Sequence, residues 1–336
     1  MTFHYSSETA PIFIAGLDRS GKTTLAGFLA SHSHIAIPSV GSNMWTYFYG
    51  QYGDLSHPDN FERCLDAMLH YKHVVFVKPD PDHIRSEFWQ GEPSYARLFA
   101  LFLESFCERQ GKIRWGDQTT LNERYAEQIL TAYPGSKMIQ MVRDPRDRYE
   151  ASLAMWPNGK GKVGGATARW RYSIDLADRN LKRFPDRYMI VRFETLIYEP
   201  ENTVTKVCEF LGEIYEPAML EMNGSPTQRA KLVNGVDGDS KENLLSANFI
   251  GQYRSKVPKV DIAFMQKYLR QDLTAYGYQI DPIKLKTAER ARFISVDWPL
   301  NLVRMFSWRT VENLQHNYPA WIGRKPGSRM IIKSTK

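Results

Sequence analysis

The segment PIFIAGLDRSGKTT, residues 11–24, restricts the possible folds more than any other stretch of the chain. Gly16 through Thr23 satisfy G-x-x-x-x-G-K-[ST], with an apolar run before the match and the helical pattern KTTLAGFLASH after it. A buried strand, a glycine turn and a helix whose first amides face back into that turn together make an anion cradle. Gly16 and Gly21 let the chain turn closely, Lys22 is long enough to reach a phosphate, and Thr23 and Thr24 offer hydroxyls. Arg19 is less expected inside such a turn. Its guanidinium either approaches the oxygen that bridges a donor to its transferred group or pairs with neighbouring Asp18 or another local acid. The same backbone serves a nucleoside triphosphate and any other phosphate-bearing donor, so the cradle specifies an anion and leaves the transferred group open.

Short apolar runs alternate with helical patterns through most of the chain. HVVFVKPD, from His73, reads as a second strand, and YARLFALFLESFCERQ as an apolar helix. GKIRWGDQTT reads as a short strand entering a functional loop, followed by the helix NERYAEQILTAYPGSK. SKMIQMVRDPRDRYEASLAM gives strand, loop and helix in succession; DRYMIVRFETLI is a later strand, and ENTVTKVCEFLG a helix that ends at Gly212. The alternation predicts one three-layer α/β domain over residues 11–280, with a mostly parallel central sheet and ligand sites along one sheet edge. Two glycine-bearing stretches, NGKGKVGGAT from Asn158 and NGSPTQRAKLVNGVDGDSKEN from Asn223, are long enough to serve as lids or as ordinary surface loops.

Charge is distributed unevenly. Residues 281–336 carry eleven Lys and Arg against four Asp and Glu, a surplus of seven, whereas residues 1–280 carry 33 of each sign. Attraction to an anionic surface is therefore a property of this basic C-terminal extension. Its segment FISVDWPLNLVRMFSWRTVENLQ is either a helix packed on the body through Phe293, Trp298, Leu302, Phe306 and Trp308, the favoured reading, or an interfacial helix in peripheral contact with a membrane. No recognition motif accompanies the charge, so no nucleic-acid partner is expected. Cys64, Cys107 and Cys208 are widely spaced, and no Cys or His spacing proposes a metal site or a disulfide framework. The start MTFHYSSETA lacks the pattern of a signal peptide, and no apolar run is long enough to span a bilayer; the chain reads as cytoplasmic.

A second arginine-bearing motif, MVRDPRDRYEASLA, follows the strand that ends near Val142. Arg143 leaves the strand, Pro145 fixes the turn, and Arg146 and Arg148 precede the helix. This fork suits a terminal phosphate monoester, while Asp144, Asp147 and Glu150 offer the alternative of a neutralised network.

In these motifs and their order the chain resembles the sulfotransferases that use 3'-phosphoadenylyl sulfate. GLDRSGKTTL is similar to their 5'-phosphosulfate loop, commonly PRSGTTL, and VRDPRDRYEAS to their 3'-phosphate motif. WGDQTTLNERY resembles W-x-D-K-T-P-x-N, DRYMIVRFETLIYEPENTVTKVCEFLG resembles the R-Y-E-D-L…P…FLG block, and the stretch from Gly251 ends in L-x-x-Y-G-Y. The resemblance is collinear from about Pro11 to Tyr278. It implies that the loop holds a 5'-phosphosulfate and that Arg19 steadies charge on departing adenosine 3',5'-bisphosphate. Ser20, Gly21, Lys22, Thr23 and Thr24 would contact phosphate, Arg143 would hold the 3'-phosphate, and Tyr253 and Lys256 would lie near the adenine and a phosphate. The family's serine position falls on Ala151; Ser152, one residue and about 100° further round a helix, is the substitute. Gln118 stands where a Lys is common, and Phe193 where a Tyr is.

The acceptor side is less defined. Sulfuryl transfer needs an aligned acceptor and a base. Asp117, between a strand and a helix, ranks above His32, His34, Asp54 and His57 for the base, although it would serve equally to orient the glycine-rich loop. Trp45, Tyr47, Phe48 and Tyr49 form either an aromatic acceptor wall or part of the core. The expected reaction is sulfuryl transfer to a hydroxyl of a small molecule, lipid or glycan, without a metal. The alternatives are a phosphate-loop kinase, weakened because HVVFVKPD makes a poor metal-holding strand, and a non-catalytic nucleotide-binding scaffold.

Overall fold

The computed structural model describes residue 6, residues 8–75, 77–155, 162–222 and 246–324, and residue 331. Five parallel strands form its sheet: β1 (Ile12–Gly16), β2 (Ile35–Ala36), β3 (Arg114–Gln118), β4 (Lys137–Val142) and β5 (Tyr188–Arg192), in the order β2-β3-β1-β4-β5. The helices used below are α1 (Lys22–Ala30), α2 (Tyr95–Arg109), α3 (Ala126–Ala132), α4 (Pro145–Met155), α5 (Val163–Arg183), α6 (Pro200–Leu211), α7 (Lys259–Tyr268), α8 (Trp298–Asn317) and α9 (Pro319–Ile322). This is the expected α/β architecture with a mostly parallel sheet.

The central strand shows why both faces must be covered. Phe13 and Ala15 belong to the core beneath α2, whereas Ile12 and Ile14 belong to the core shared with α1 and α6. Alternation along a strand sends successive side chains to opposite faces, so a strand apolar at every position is buried twice. Parallel registration places Gly16 beside Met141 and Ile14 beside Gln118. The C-terminal ends of β1, β3 and β4 therefore open at one edge, and the glycine turn and the Arg143 loop leave the sheet together.

One expected strand is not found among the described residues. HVVFVKPD holds a helical turn, Lys72–Val75, and then Asp80, whose carboxylate caps the helix Pro81–Phe88 by accepting from the amides of Asp82 and His83. Among the described residues of this stretch, Val74 and Val77 are buried, and the Val77 amide donates to the Val74 carbonyl at 3.0 Å, as in a turn. Pro79 and Pro81 add no amide to a ladder. The stretch from Asn223 lies outside the described residues, as do the first four residues of NGKGKVGGAT; the rest of the latter enters α5.

The C-terminal extension is helical and lies along α5. Asn301, Met305 and Glu312 of α8 are buried, and Trp298 meets Phe264 and Phe293 at ring separations of 5.1 and 5.9 Å. Trp308 packs edge-on to Tyr172 at 5.7 Å. Leu302 and Phe306 do not join this packing; they are 37% and 74% exposed. Each stands one position beyond a buried residue, and a step of about 100° turns it off the contact face.

Gly164 sets the approach of α8 to α5. Its amide donates to Asn301 Oδ1 at 3.2 Å, and a Cβ there would collide with the backbone of Asn301. Gly164→Ala is expected to push the two helices apart and lower unfolding free energy by about 1–3 kcal/mol, as overpacking does. Urea denaturation checks this, with Gly165→Ala, where a Cβ meets nothing within 4 Å, as the matched control.

Candidate functional site

The glycine turn forms one wall of a cavity of about 1010 Å³. Gly16 and Gly21 have φ of 121° and 93°, and a Cβ on either would strike Met141 or the Phe193 ring. Arg19 adopts φ 63° without being glycine, a strained geometry that the turn imposes. Ser20 Oγ donates to the Leu17 carbonyl at 2.8 Å and steadies the turn from inside, and Lys22 Nζ donates to the same carbonyl at 2.6 Å. Burial pulls the Lys22 ammonium down to about 8, against the opposing charges of Asp18 and Glu123. Asp18 does not pair with Arg19. It accepts from Thr120 Oγ1 at 2.9 Å and lies 3.9 Å from Arg169. Arg19, Gly21, Lys22, Thr23 and Thr24 all line the cavity; Ser20 is not among its lining residues.

Arg143 spans the space between this turn and the segment near residue 249. It donates to the Arg19 carbonyl at 3.0 Å and the Phe249 carbonyl at 2.7 Å, with its guanidinium 4.6 Å from the centre of the Phe193 ring. Its neighbours in the motif have other work. Arg146 makes a two-pronged pair with Asp144, at 2.9 and 2.6 Å, and stacks over Tyr253 at 4.3 Å. Asp147 accepts from the amides of Gly251 and Tyr253 and so fixes the segment that presents Phe249. Ala151 lines the cavity, whereas Ser152 Oγ donates back to the Arg148 carbonyl at 2.8 Å. The structure does not bring Tyr253 or Lys256 to the cavity wall. Tyr253 is buried with its hydroxyl on Asp281, and Lys256 pairs with Gln252 and Glu150.

Asp117 is 1% exposed and also lies off the cavity wall. It accepts from the Ser42 amide at 3.0 Å and Asn122 Nδ2 at 3.2 Å, and burial pushes its carboxyl up. Neighbouring Gln118 does face the cavity, with its amide held by the carbonyls of Pro38 and Ser39. Of the four aromatic residues after α1, Tyr47 alone lines the cavity; Trp45 and Phe48 are buried in the core. His32 and His34 turn to the loop at residues 213–216, and neither lines the cavity.

Several cavity residues carried no signal in the sequence. His73 faces the cavity from the helical turn that replaces the expected strand. Its Nδ1 lies 2.9 Å from the Gly41 carbonyl, an acceptor, and 3.0 Å from Asn43 Nδ2, a donor. Arg169 comes from α5, and Trp308, Glu312 and Arg324 come from the C-terminal extension. Glu312 bridges Arg124 and Arg324 and is itself 2% exposed. The extension is thus a wall of the site.

The sulfotransferase family model matches residues 11–217. The chain is 23% identical over 289 residues to a protein-tyrosine sulfotransferase of Drosophila melanogaster, covering 80% of this chain and 53% of the relative. It is 27% identical over 171 residues to carbohydrate sulfotransferase 1 of Danio rerio, covering 43% and 38%. The chain therefore spans about half, or less, of the length of these relatives. Among solved structures, the sulfotransferase domain of the Synechococcus PCC 7002 olefin synthase aligns with TM-score 0.54 at 19% identity, over 84% of this chain and 100% of that one. The sulfotransferase domain from the curacin biosynthetic pathway aligns with TM-score 0.52 at 16% identity, over 81% and 99%. These two likenesses establish a shared fold.

Lys22 gives the site a pH dependence of defined sign. An anion in the turn favours the ammonium form, so affinity is flat below the Lys22 pKa and falls above it. With that pKa at about 8, affinity for adenosine 3',5'-bisphosphate is expected to drop about tenfold between roughly pH 7 and pH 9. Titration calorimetry checks this, and Lys22→Arg should flatten the profile.

Proposed function

The chain belongs to the sulfotransferase family, and from that premise we propose that it transfers a sulfuryl group from 3'-phosphoadenylyl sulfate to an acceptor hydroxyl. One observation carries the choice of donor. Arg143 lines the same cavity and runs from the Arg19 carbonyl of the turn to the Phe249 carbonyl, which supports a second cationic contact for phosphate reaching beyond the turn. A nucleotide with phosphates at both its 5' and 3' ends uses both. A triphosphate, the donor of the kinase reading, uses the first alone.

In this reading the turn amides, Lys22, Thr23 and Thr24 hold the 5'-phosphosulfate. The acceptor oxygen forms a bond to sulfur as the bond from sulfur to the bridging oxygen breaks. The bonding pair passes to the 5'-phosphate, and Arg19 steadies the charge that grows there. The acceptor proton goes to His73, which lines the cavity and accepts on Nε2 in the tautomer that donates from Nδ1 to the Gly41 carbonyl. We assign the base to His73 in preference to Asp117. The buried Asp117 carboxylate instead holds the Ser42 amide, and the adjoining Gly41 carbonyl orients His73. Tyr47, Asn43, Thr46 and Trp308 offer aromatic and polar surface to a hydroxyl-bearing small molecule, lipid or glycan. Three buried free cysteines suit a reducing compartment, and the proposed location is the cytoplasm.

Two measurements test this reading. Adenosine 3',5'-bisphosphate should bind more tightly than adenosine 5'-phosphate by about 1.5–3 kcal/mol, the worth of a charged hydrogen-bonded contact. Arg143→Gln should remove most of that difference in calorimetry. Equal affinities in the native protein would overturn the two-phosphate site.

For the base, His73→Asn is expected to lower turnover by about 10²–10⁴-fold with bisphosphate affinity unchanged. Transfer of labelled sulfate across an acceptor library measures the first quantity and calorimetry the second. Full turnover in His73→Asn would remove the assignment.

A further inference from the structure

Helix α8 has two unlike faces. Asn301, Met305 and Glu312 pack on the body, while Leu300, Val303, Phe306, Ser307, Thr310 and Leu314 are exposed on the opposite side. At about 100° per residue, those six fall within an arc of roughly 120° that contains no charged side chain. Val303 is 61% exposed and Phe306 74%. The chain continues into α9, where Trp321 is 87% exposed.

Charge frames this apolar arc. Arg304 and Arg309 lie beyond its two edges, and Arg290 and Arg292 are exposed on the preceding helix, Thr287–Arg292. The four carboxylates of residues 281–336 are already engaged. Asp281 holds Tyr253 and Arg254, and Glu289 accepts from the Lys286 amide. Asp297 lies 3.6 Å from Arg292, and buried Glu312 is shared by Arg124 and Arg324. Among the described residues, Lys284, Lys286 and Arg290 are exposed, and Arg292 and Arg309 are exposed with Asp297 at 3.6 Å and Asp175 at 3.8 Å. A two-fold contact with a second copy would set these like charges beside one another.

We propose that the outer face of α8, together with α9, docks on an anionic lipid bilayer. An uncharged arc presenting Leu300, Val303, Phe306 and Leu314, basic flanks and an exposed Trp match a helix that lies in the interface plane, with arginines reaching to the headgroups. Val311, Gly323 and Arg324 line the cavity next to this face, so docking holds the cavity rim at the headgroup layer. The surface goes beyond the proposed transfer reaction and stands without it. Packing of the inner face and docking of the outer face are compatible, because they use different sides of one helix.

Flotation of the full chain with neutral phosphatidylcholine vesicles, and with vesicles containing about one-third phosphatidylglycerol, tests the proposal. Flotation with the anionic vesicles is expected at about 0.1 M salt and should fall at least tenfold near 1 M, as the screening length shrinks from about 10 to about 3 Å. Val303→Glu combined with Phe306→Glu should lower binding at least about tenfold with an unchanged thermal midpoint. Should that variant misfold, Arg292→Gln combined with Arg309→Gln decides, and loss of the preference for anionic vesicles is the expected result. Absence of native protein from both vesicle fractions overturns the proposal, as does undiminished binding by the folded variants. A concentration-dependent dimer that the Glu variant dissociates, without vesicle binding, would assign the face to a second copy and overturn it equally.

Discussion

A single buried carboxylate joins the parts of this structure on which the site depends. Glu123 accepts from the Gly16 amide at 2.9 Å through one oxygen and from Ser173 Oγ at 2.6 Å through the other. It thereby ties the end of β1 to α5, at the point where Gly16 has no room for a side chain beside Met141. Burial pushes its carboxyl up, while the two hydrogen bonds and the Lys22 charge act against that shift. A buried acid held this way is costly to leave unpaired. The turn, the helix behind it and the extension docked on that helix consequently form one connected body.

The cavity inherits its chemistry from this arrangement. α5 places Arg169 within 3.9 Å of Asp18, which leaves Arg19 without its neighbouring acid. β4 delivers Arg143 across the opening, where two carbonyls take its outer nitrogens. Arg148 is fully buried, and desolvation draws its guanidinium down to about 10. The site is therefore built around cations whose desolvation is only partly offset by Asp18 and Glu123. The proposed anionic donor would supply the missing charge, which is the physical reason that nucleotide binding and local order should be coupled.

The C-terminal extension does more than cover the body. One side of α8 closes the cavity with Trp308 and Glu312, and Arg324 beyond α9 completes that wall. The other side carries apolar residues to solvent. Its composition alone suggested packing and surface contact as competing readings, yet a helix has room for both.

What could be learned from the sequence was what local chemistry specifies. The strand–turn–helix unit, the parallel alternation and the ordered family motifs are read from neighbouring residues, and they led to the fold, to Arg19 and Lys22 in the turn, and to Arg143. HVVFVKPD misled because a short apolar run has no decisive period, and the core accepted Val74 on a helical turn and Val77 just after it. The packing of distant segments decided the rest. Arg143 and Arg146 are three residues apart in one motif, yet one reaches the cavity and the other is neutralised by Asp144. Asp117 and Gln118 are adjacent, and the alternation of a strand sends only Gln118 to the cavity. His73, Arg169 and Arg324 come from three regions with no shared motif. Their meeting depends on how α5 and the C-terminal extension dock on the sheet, and spacing along the chain does not encode contacts made through space.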